Sequence, residues 1–318
     1  MGELLAVFLG GIQVRIEKKN KVAFHLMMLV PCLFLLLFNY LPIGGIVMAF
    51  QNFYPGLGFL KSEWVGLDNF KTIFLHPDTW PAIRNTLLIA GGKIIGNLVI
   101  PVCFALMLNE VRLKRFKKTV QTITYLPYFL SWVVLSGILI NFLSPGSTAE
   151  SAGFFNSVLM KVGLIQEPIY FLGDSKYFRM TMIISDIWKN FGFNTIVYLA
   201  ALTGVDMSLY EAAAVDGAGR IKQTLHITLP GIAPFIALMT ILSIGNVLSA
   251  GFDQIFNLYS PAVFSTGDIL DTLVYRWGMV NQQYSLSAAV GVFKSLVSMI
   301  LIVTGYKMAD KYAGYRVF

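Results

Sequence analysis

Six long apolar stretches constrain the fold of this chain more than any other feature. Of its 318 residues, 56% are apolar and only 13% are charged, about half the usual charged fraction of roughly 25% in soluble domains. Each stretch is long enough for a helix of about 20 residues to cross a bilayer. They cover approximately Phe24–Phe50, Asn85–Leu108, Thr119–Leu143, Phe178–Leu202, Ile232–Leu258 and Tyr284–Met308.

A backbone in lipid must satisfy its polar groups internally, which favours helices. The sequence therefore predicts an all-α membrane protein with six transmembrane helices. Within the second span, Gly92 and Gly96 have the G-x-x-x-G spacing that is typical of close helix packing.

The distribution of basic residues predicts the orientation, because arginine and lysine accumulate in cytoplasmic loops. With the N-terminus inside, one side of the membrane has most of the loop cations, including the run RLKRFKK at residues 112–118. The opposite loops contain only Lys61, Lys71, Lys161, Lys176 and Arg276. Both termini and residues 211–231 are therefore predicted to be cytoplasmic. A cytoplasmic loop also explains the basic run without nucleic-acid binding.

The distribution of apolar and basic residues also predicts where the other parts of the chain lie. Residues 1–23 are predicted to be a cytoplasmic interfacial segment, because Leu4–Leu9 is apolar but too short to cross the membrane. Residues 24–50 form the first span, 51–81 an external loop and 309–318 a cytoplasmic tail. No cleaved signal peptide is expected. Cys32 and Cys103 fall inside spans, so no disulfide framework is expected.

A polar connector, EAAAVDGAGRIKQTLHITLPGIAP, begins at Glu211 and separates the fourth and fifth spans. Ser208 and Glu211 fit a capping box at the start of a helix. Asp216-Gly217 should end that helix, since glycine adopts the left-handed conformation easily. A second helical stretch is predicted to run to about Ile227, with Pro230 near the start of the next helix. We therefore expect two short helices at an angle.

This connector resembles the EAA loop of importer-type ABC transporter permeases with a MetI-like transmembrane domain. The matching positions are Glu211, Ala212, Ala213, Asp216, Gly217, Ala218, Ile227, Leu229 and Pro230. One departure is that Gln223, Thr224 and Leu225 stand where an aromatic residue is often found. The resemblance implies a coupling helix that docks on an ATPase subunit, with Glu211 meeting basic groups there.

The similarity to carbohydrate-uptake permeases, especially those for oligosaccharides and polysaccharide fragments, extends over nearly the whole chain. It includes WVGLDNF from Trp64, WKNFGFNTIVYLAAL from Trp188 and GFDQIFNLYSP from Gly251. The resemblance implies a permease domain at 82–308 with a coupling loop at 206–231, in the cytoplasmic membrane of a bacterium. It also implies a second homologous permease, around which the first helix wraps, two ATPase domains and an extracytoplasmic solute-binding protein.

Polar and aromatic side chains in the spans are candidates for sugar contacts, since amides and carboxylates bind hydroxyls and aromatic rings cover C–H faces. The candidates are Tyr128, Trp132, Trp188, Asn190, Asn194, Asn246, Asp253, Gln254 and Asn257. For each one, helix packing or a place in an interfacial aromatic belt is an equally good explanation. Asp253 and Gln254 lie near the external end and are alternatively contacts for the binding protein.

Charged residues in the spans are expected to have partners, because an unpaired charge in lipid is costly. Asp186 and Lys189 lie three residues apart and are predicted to neutralise each other on one helix face. Lys93 and Lys294 are expected to snorkel or to pair across helices.

An enzymatic function is not indicated. The chain has no G-x-x-x-x-G-K-[ST] phosphate loop and no H-E-x-x-H pair among its three histidines. ATP and Mg²⁺ are therefore expected on the partner ATPase, with no cofactor or metal in this chain. Two alternatives stay open: an ABC importer permease for another solute, such as a peptide or amino acid, and an autonomous secondary carrier.

Overall fold

The computed structural model of the protein describes residues 18–146, 148 and 150–313. Most of the predicted interfacial segment, including Leu4–Leu9, and residues 314–318 of the predicted tail lie outside the described residues. The described residues divide into two compact units, one that ends at Met48 and one that begins at Ala49.

The N-terminal unit contains most of the first span. Helix α1 (Lys18–Leu35) continues through a π turn (Leu36–Tyr40) into a 3-10 segment (Leu41–Phe50). The span Phe24–Phe50 has 27 residues, and none of the side chains in its most apolar window is buried. A helical window that is apolar and has no buried residue is suited to lipid or to a partner helix.

The second unit opens with an ordered cap in the region predicted as the external loop. Strand β1 (Gln51–Asn52) pairs with antiparallel β2 (Glu63–Trp64), and α2 (Gly58–Lys61) lies between them. Helix α3 (Asp68–Leu75) follows. The Asn69 amide donates to the carbonyls of Ala49 and Gln51, both at 3.0 Å, and so fixes α3 against the strand.

Two long helices, α4 (Thr79–Glu110) and α8 (Ser175–Leu202), pack side by side. A Cβ atom built on Gly92 would lie 2.5 Å from Cδ1 of Ile183, and one on Gly96 would lie 2.1 Å from Cδ1 of Ile187. The glycines therefore let the two helices approach closely. The predicted packing role of the G-x-x-x-G spacing is confirmed.

The third span is sharply bent rather than straight. Helix α5 (Lys114–Tyr125) and a 3-10 turn (Leu126–Phe129) lead into α6 (Trp132–Phe142) through a bend of 104°. Pro127 lies in the turn, and the Ser131 hydroxyl caps the new helix by accepting from the Val134 amide at 3.3 Å. Local chemistry at these residues restarts the helix in a new direction.

The predicted fifth span, Ile232–Leu258, is not one helix. Helix α11 (Leu229–Gly245) ends inside it, and α12 (Phe252–Leu258) starts after a non-helical break at residues 246–251. Gly251 takes a φ of +95°, which strongly favours glycine. The prediction of one continuous span was wrong because the break contains no proline and its apolar and small residues do not stand out from the helices on either side.

The remaining elements complete the chain as follows: α7 (Phe154–Lys161), α9 (Met207–Val215), α10 (Arg220–Gln223), a π turn (Thr224–Thr228), a 3-10 turn (Pro261–Val263), α13 (Phe264–Gly267), α14 (Leu270–Tyr275), a π turn (Arg276–Val280) and α15 (Tyr284–Ala313). In the part of the chain that the structure describes, four helices are long and apolar enough to cross a membrane alone, and the number rises to six if each of two bent pairs is one span. The predicted all-α membrane fold is confirmed, with four to six candidate spans.

The buried core consists of three apolar clusters. One lies around Phe178 and Met182, a second around Trp277 and Leu273, and a third around Tyr198. Helices α4 and α8 contribute to the first and third clusters. The bent spans therefore pack around these two helices.

Candidate functional site

The connector between the fourth and fifth spans begins with α9, whose first turn is capped by Asp206. The Asp206 carboxylate accepts from the Ser208 backbone amide at 2.9 Å. Hydrogen bonds from Ser208 hold the pKa of Asp206 below its usual range. The predicted capping box of Ser208 and Glu211 is wrong, because the helix begins at Met207 and Asp206 takes the capping position.

The predicted break at Asp216-Gly217 is confirmed. Helix α9 ends at Val215, and Gly217 has a φ of +74°. The Ala218 amide donates to the Ala213 carbonyl at 2.8 Å, which closes the end of the helix. The chain then reverses into the next helix.

The second half of the connector differs from the prediction. A single helix runs from Arg220 to Gly245, so no separate short helix ends near Ile227. Pro230 and Pro234 lie within this helix. Proline removes a helical hydrogen bond, and the π turn at Thr224–Thr228 directly precedes Pro230 and accommodates this loss. The fifth span thus starts inside the connector.

Two side-chain hydrogen bonds fix the angle between α9 and the long helix. The Tyr210 hydroxyl donates to Oγ1 of Thr228 at 2.9 Å, and Nε2 of Gln223 donates to the Ala218 carbonyl at 2.9 Å. Sequence reasoning did not identify Tyr210 or Thr228. It noted Gln223 only as a departure from the EAA pattern, whereas the structure gives this residue a role in closing the turn.

The connector presents an exposed apolar surface that no described part of the chain covers. Met207, Val215 and Ile221 are 68%, 88% and 78% exposed. The motif residues are also accessible: Glu211, Ala212, Asp216, Gly217 and Pro230 are exposed, and Ala213, Ala218, Ile227 and Leu229 are half-buried. The three apolar residues were missed, although their position in a polar connector was a usable signal.

An open cavity of about 340 Å³, lined by both apolar and polar side chains, lies between α4, α8, α11 and the break in the fifth span. Three candidate residues, Asn190, Asn194 and Asn246, line it together. Its other polar lining residues are Lys93, Asn97, Asp186, Ser243 and Ser249. Asn97 was missed, although it lies one helical turn beyond Lys93. The lining thus offers four amide groups and two hydroxyls in a small space.

Asp186 is the centre of a hydrogen-bond network at the cavity. Its Oδ1 lies 3.3 Å from Nζ of Lys93, and its Oδ2 accepts from Asn97 at 2.9 Å and from Asn190 at 3.2 Å. Asn194 donates to Oδ1 of Asn97 at 3.3 Å. The expected cross-helix pairing of Lys93 is confirmed.

The predicted pairing of Asp186 with Lys189 is wrong. Lys189 donates to the carbonyls of Pro127 and Tyr128, at 3.3 and 2.7 Å, where the third span bends. The Pro127 carbonyl also accepts from the Leu130 amide at 3.2 Å, so at the bend the ammonium group adds donors to carbonyls that lie beyond the regular helical pattern. Lys294, by contrast, pairs with Asp271 of α14 across helices, as expected.

The other predicted contacts do not line this cavity. Gln254 is fully buried and Trp188 is 45% exposed elsewhere on α8. Tyr128 stacks on Phe193 with ring centroids 3.8 Å apart, and Trp132 packs against the first apolar cluster. Asp253 is exposed on α12, where its carbonyl accepts from Asn257 at 2.6 Å. Their roles in substrate binding stay predictions.

A second ionic cluster lies between the N-terminus of α4 and the segment that follows α12. Arg276 contacts Asp268 at 2.7 Å and Asp78 at 3.2 Å. Burial raises the pKa of Asp268, while hydrogen bonds from Thr272 and Arg276 oppose that effect. Among the described residues, no group of three or more His, Cys, Asp or Glu side chains is placed to hold a metal ion.

A membrane helix bundle with an exposed, bent connector and a cavity where four asparagines meet has the features of a transport component. Residues 101–311 match the family described as the binding-protein-dependent transport system inner membrane component. The chain belongs to this family, whose members are transport subunits rather than enzymes. The predicted resemblance is confirmed.

Relatives and solved structures agree with this assignment. The chain is 42% identical to the polygalacturonan/rhamnogalacturonan transport system permease protein YteP of Bacillus subtilis (strain 168), over 91% of this chain and 88% of that one. It is 40% identical to protein LplB of the same organism, over 95% and 93%. A crystal structure of a bacterial ABC transporter involved in the import of the acidic polysaccharide alginate matches with a TM-score of 0.83 and 37% identity, over 92% of this chain and 97% of that one.

Proposed function

We propose that this chain is a permease subunit of an ATP-driven importer that moves an oligosaccharide or polysaccharide fragment across the bacterial cytoplasmic membrane. One structural observation carries the proposal. The helix Arg220–Gly245 begins in the exposed connector and ends beside Asn246 in the cavity wall. A single continuous element therefore joins a surface suited to a protein partner with a site suited to a polar solute.

The chemistry of the cavity supports a solute rich in hydroxyl groups. Asparagine side chains donate and accept hydrogen bonds, as sugar hydroxyls do. The charged groups at the cavity, Lys93 and Asp186, are paired with each other, so the wall is neutral overall. The names of the relatives, which mention polygalacturonan, rhamnogalacturonan and alginate, favour fragments of plant or algal polysaccharides within this class.

The exposed connector supports docking on an ATPase. We propose that α9 is the coupling helix, with Glu211 facing basic groups and Met207, Val215 and Ile221 entering an apolar groove of the partner. The complete transporter would contain a second homologous permease, two ATPase domains that bind ATP and Mg²⁺, and an extracytoplasmic solute-binding protein. This chain would have both termini in the cytoplasm.

In the proposed mechanism the free energy comes from ATP bound by the partner, which favours one of two conformations of the permease pair. Closure of the ATPase domains moves the two connectors together. The helix Arg220–Gly245 carries that movement to the cavity, which opens outward to receive the sugar. Hydrolysis and product release return it to the inward-facing state.

The test is ATPase stimulation in the complete transporter, reconstituted with its binding protein. Panels of neutral oligosaccharides, uronate oligosaccharides, peptides and amino acids are compared at equal concentration. We expect stimulation by oligosaccharides only. Stimulation by peptides or amino acids instead would favour the alternative importer, and uptake by this chain without any ATPase would favour a secondary carrier.

A further inference from the structure

The break that follows α11 places non-helical backbone in the buried part of the molecule, since Leu248 and Ala250 are 3% and 1% exposed. Residues 246–251 separate α11 from α12 and contribute Asn246, Ser249, Ala250 and Gly251 to the cavity wall. Buried backbone polar groups need hydrogen-bond partners. The break therefore needs a hydrogen-bond donor from another part of the chain.

Lys93 of α4 supplies that donor. Its Nζ donates to the Ala250 carbonyl at 2.6 Å, and also to Oε1 of Gln254 in the first turn of α12. The third neighbour is Oδ1 of Asp186 at 3.3 Å. A lysine ammonium group has three N–H donors, of which two are used within the protein while the charge is paired with Asp186. Lys93 is only 7% exposed.

The acceptors of Lys93 are themselves held in place. Nε2 of Gln254 donates to the Met182 carbonyl at 2.8 Å and to Oγ of Ser185 at 2.9 Å, both on α8. Asp186 is also on α8 and is oriented by two asparagine amides. Lys93 thus lies where α4, α8 and the start of α12 meet, and connects the break to the pair of long helices.

We propose that Lys93 is a positioning residue that holds the broken fifth span against α4 and α8, and thereby sets the place of Asn246 and Ser249 in the cavity wall. It affects transport through the shape of the wall and not by attracting charge on the substrate. The inference rests on the proposed function for its transport readout, but its structural content is independent of the sugar that is carried.

Gly251 offers a second way to disturb the same contact without removing the lysine. A Cβ atom at Gly251 would lie 2.9 Å from Nζ of Lys93, and its φ of +95° is strained for any other residue. Gly91 is a matched control on α4, because a Cβ atom there would meet nothing within 4 Å. Gly251→Ala and Gly91→Ala add the same methyl group, but only at Gly251 does the methyl group meet Nζ of Lys93 and a positive φ.

The experiment measures oligosaccharide uptake by the complete transporter carrying Lys93→Met, Lys93→Arg, Gly251→Ala or Gly91→Ala. We expect Lys93→Met and Gly251→Ala to lower the maximal rate roughly tenfold for neutral and uronate oligosaccharides alike, as when a buried polar group loses its partner. Lys93→Arg should retain more activity than Lys93→Met, and Gly91→Ala should match the unmodified protein. Loss restricted to uronate substrates in Lys93→Met, with Gly251→Ala unaffected, would show direct charge recognition and overturn the inference.

A second readout does not depend on transport. Ser249→Cys is labelled with a membrane-impermeant maleimide in the resting transporter, in the presence and absence of each change above. We expect faster labelling with Lys93→Met and Gly251→Ala, because each change weakens the contact that holds residues 246–251 in place. Equal labelling rates would reject the positioning role, even if Lys93→Met failed to assemble and only Gly251→Ala were measured. If the unmodified transporter carries no oligosaccharide, the proposed function fails while the labelling result still decides the role of Lys93.

Discussion

At the residue scale, Gly217 determines the geometry of the docking connector. Its φ of +74° lies in the left-handed region, whereas Gly219, two residues later, has an ordinary φ of −68°. Neither position is crowded, since a Cβ atom would meet nothing within 4 Å at either glycine. Substitutions at the two glycines therefore test the effect of backbone conformation alone, because neither adds a steric clash.

We predict that Gly217→Pro uncouples ATP hydrolysis from transport while the protein still inserts in the membrane, because proline cannot adopt a positive φ. Gly217→Ala should be milder, since the left-handed conformation costs about 1 kcal/mol for a residue with a Cβ atom. Gly219→Ala should behave like the unmodified protein. The ratio of sugar transported to ATP hydrolysed measures all three, and an unchanged ratio in Gly217→Pro would contradict the prediction.

Asp206 gives a prediction for the dependence on pH. Hydrogen bonds from Ser208 lower its pKa from the ordinary value of 3.8, so the ionised form is favoured in the folded state. The capping contribution is therefore fully present above the ordinary pKa and is lost as the pH falls through the lowered value. Asp206→Ala should increase hydrogen exchange at the Ser208 amide equally at pH 6 and pH 8. If the increase in exchange differed between the two pH values after correction for intrinsic exchange, another titratable group would have to be the cap.

At the scale of helices, close contact between α5 and α8 depends on Gly192. A Cβ atom there would lie 2.1 Å from the backbone oxygen of Thr124 on α5. A flexible side chain would be able to move aside, but the backbone of a helix cannot without displacing its neighbours. The position of the bent third span is therefore sensitive to one methyl group.

We predict that Gly192→Ala destabilises the purified transporter by about 1–3 kcal/mol, the usual range for overpacking. Gly91→Ala is again the control. The midpoint of thermal unfolding in detergent checks the prediction. A midpoint equal to that of the control would mean that α5 and α8 are not packed as described.

The helices also show what sequence can and cannot predict. The candidate spans followed from apolar length, and the turn at Gly217 followed from local chemistry. The partner of Asp186 did not, because Lys93 is distant in the chain while Lys189 is only three residues away. The helix start was misplaced because Asp206 and Ser208 are both good capping residues. The break at residues 246–251 depends on tertiary hydrogen bonds, which no local pattern records.

The three asparagines of the cavity were candidates because of their chemistry alone. Their convergence needed the packing of α8 beside α11, which the sequence did not supply. Asn257 and Gln254 were candidates for the same reason, but they do not line the cavity. The sequence therefore identified the kind of side chain that is suited to the site. Only the fold showed which of these side chains lie together in the cavity.

For the whole molecule, the orientation in the membrane is the prediction that the remaining proposals require. It places the connector in the cytoplasm and the cap formed by β1 and β2 outside. Glu63 is exposed on β2, and Ala213 lies on α9. The two residues are therefore suitable reporters for opposite sides of the membrane.

We predict that Glu63→Cys reacts with an impermeant maleimide in intact cells, whereas Ala213→Cys reacts only after the cells are opened. Both variants are made with Cys32 and Cys103 replaced by alanine. In the complete transporter, Ala213→Cys should also crosslink to the ATPase subunit. Labelling of Ala213→Cys from outside would refute both the orientation and the proposed coupling role.

The unbroken helix Arg220–Gly245 has one further consequence, which is mechanical. At 1.5 Å per residue, its 26 residues form a lever about 39 Å long. If its lower end is the fulcrum, a tilt of about 5° displaces the upper end by about 3 Å, roughly two residues of helical rise. A tilt of that size would then shift Asn246 by the length of a hydrogen bond relative to Asn190 and Asn194 on the other side of the cavity.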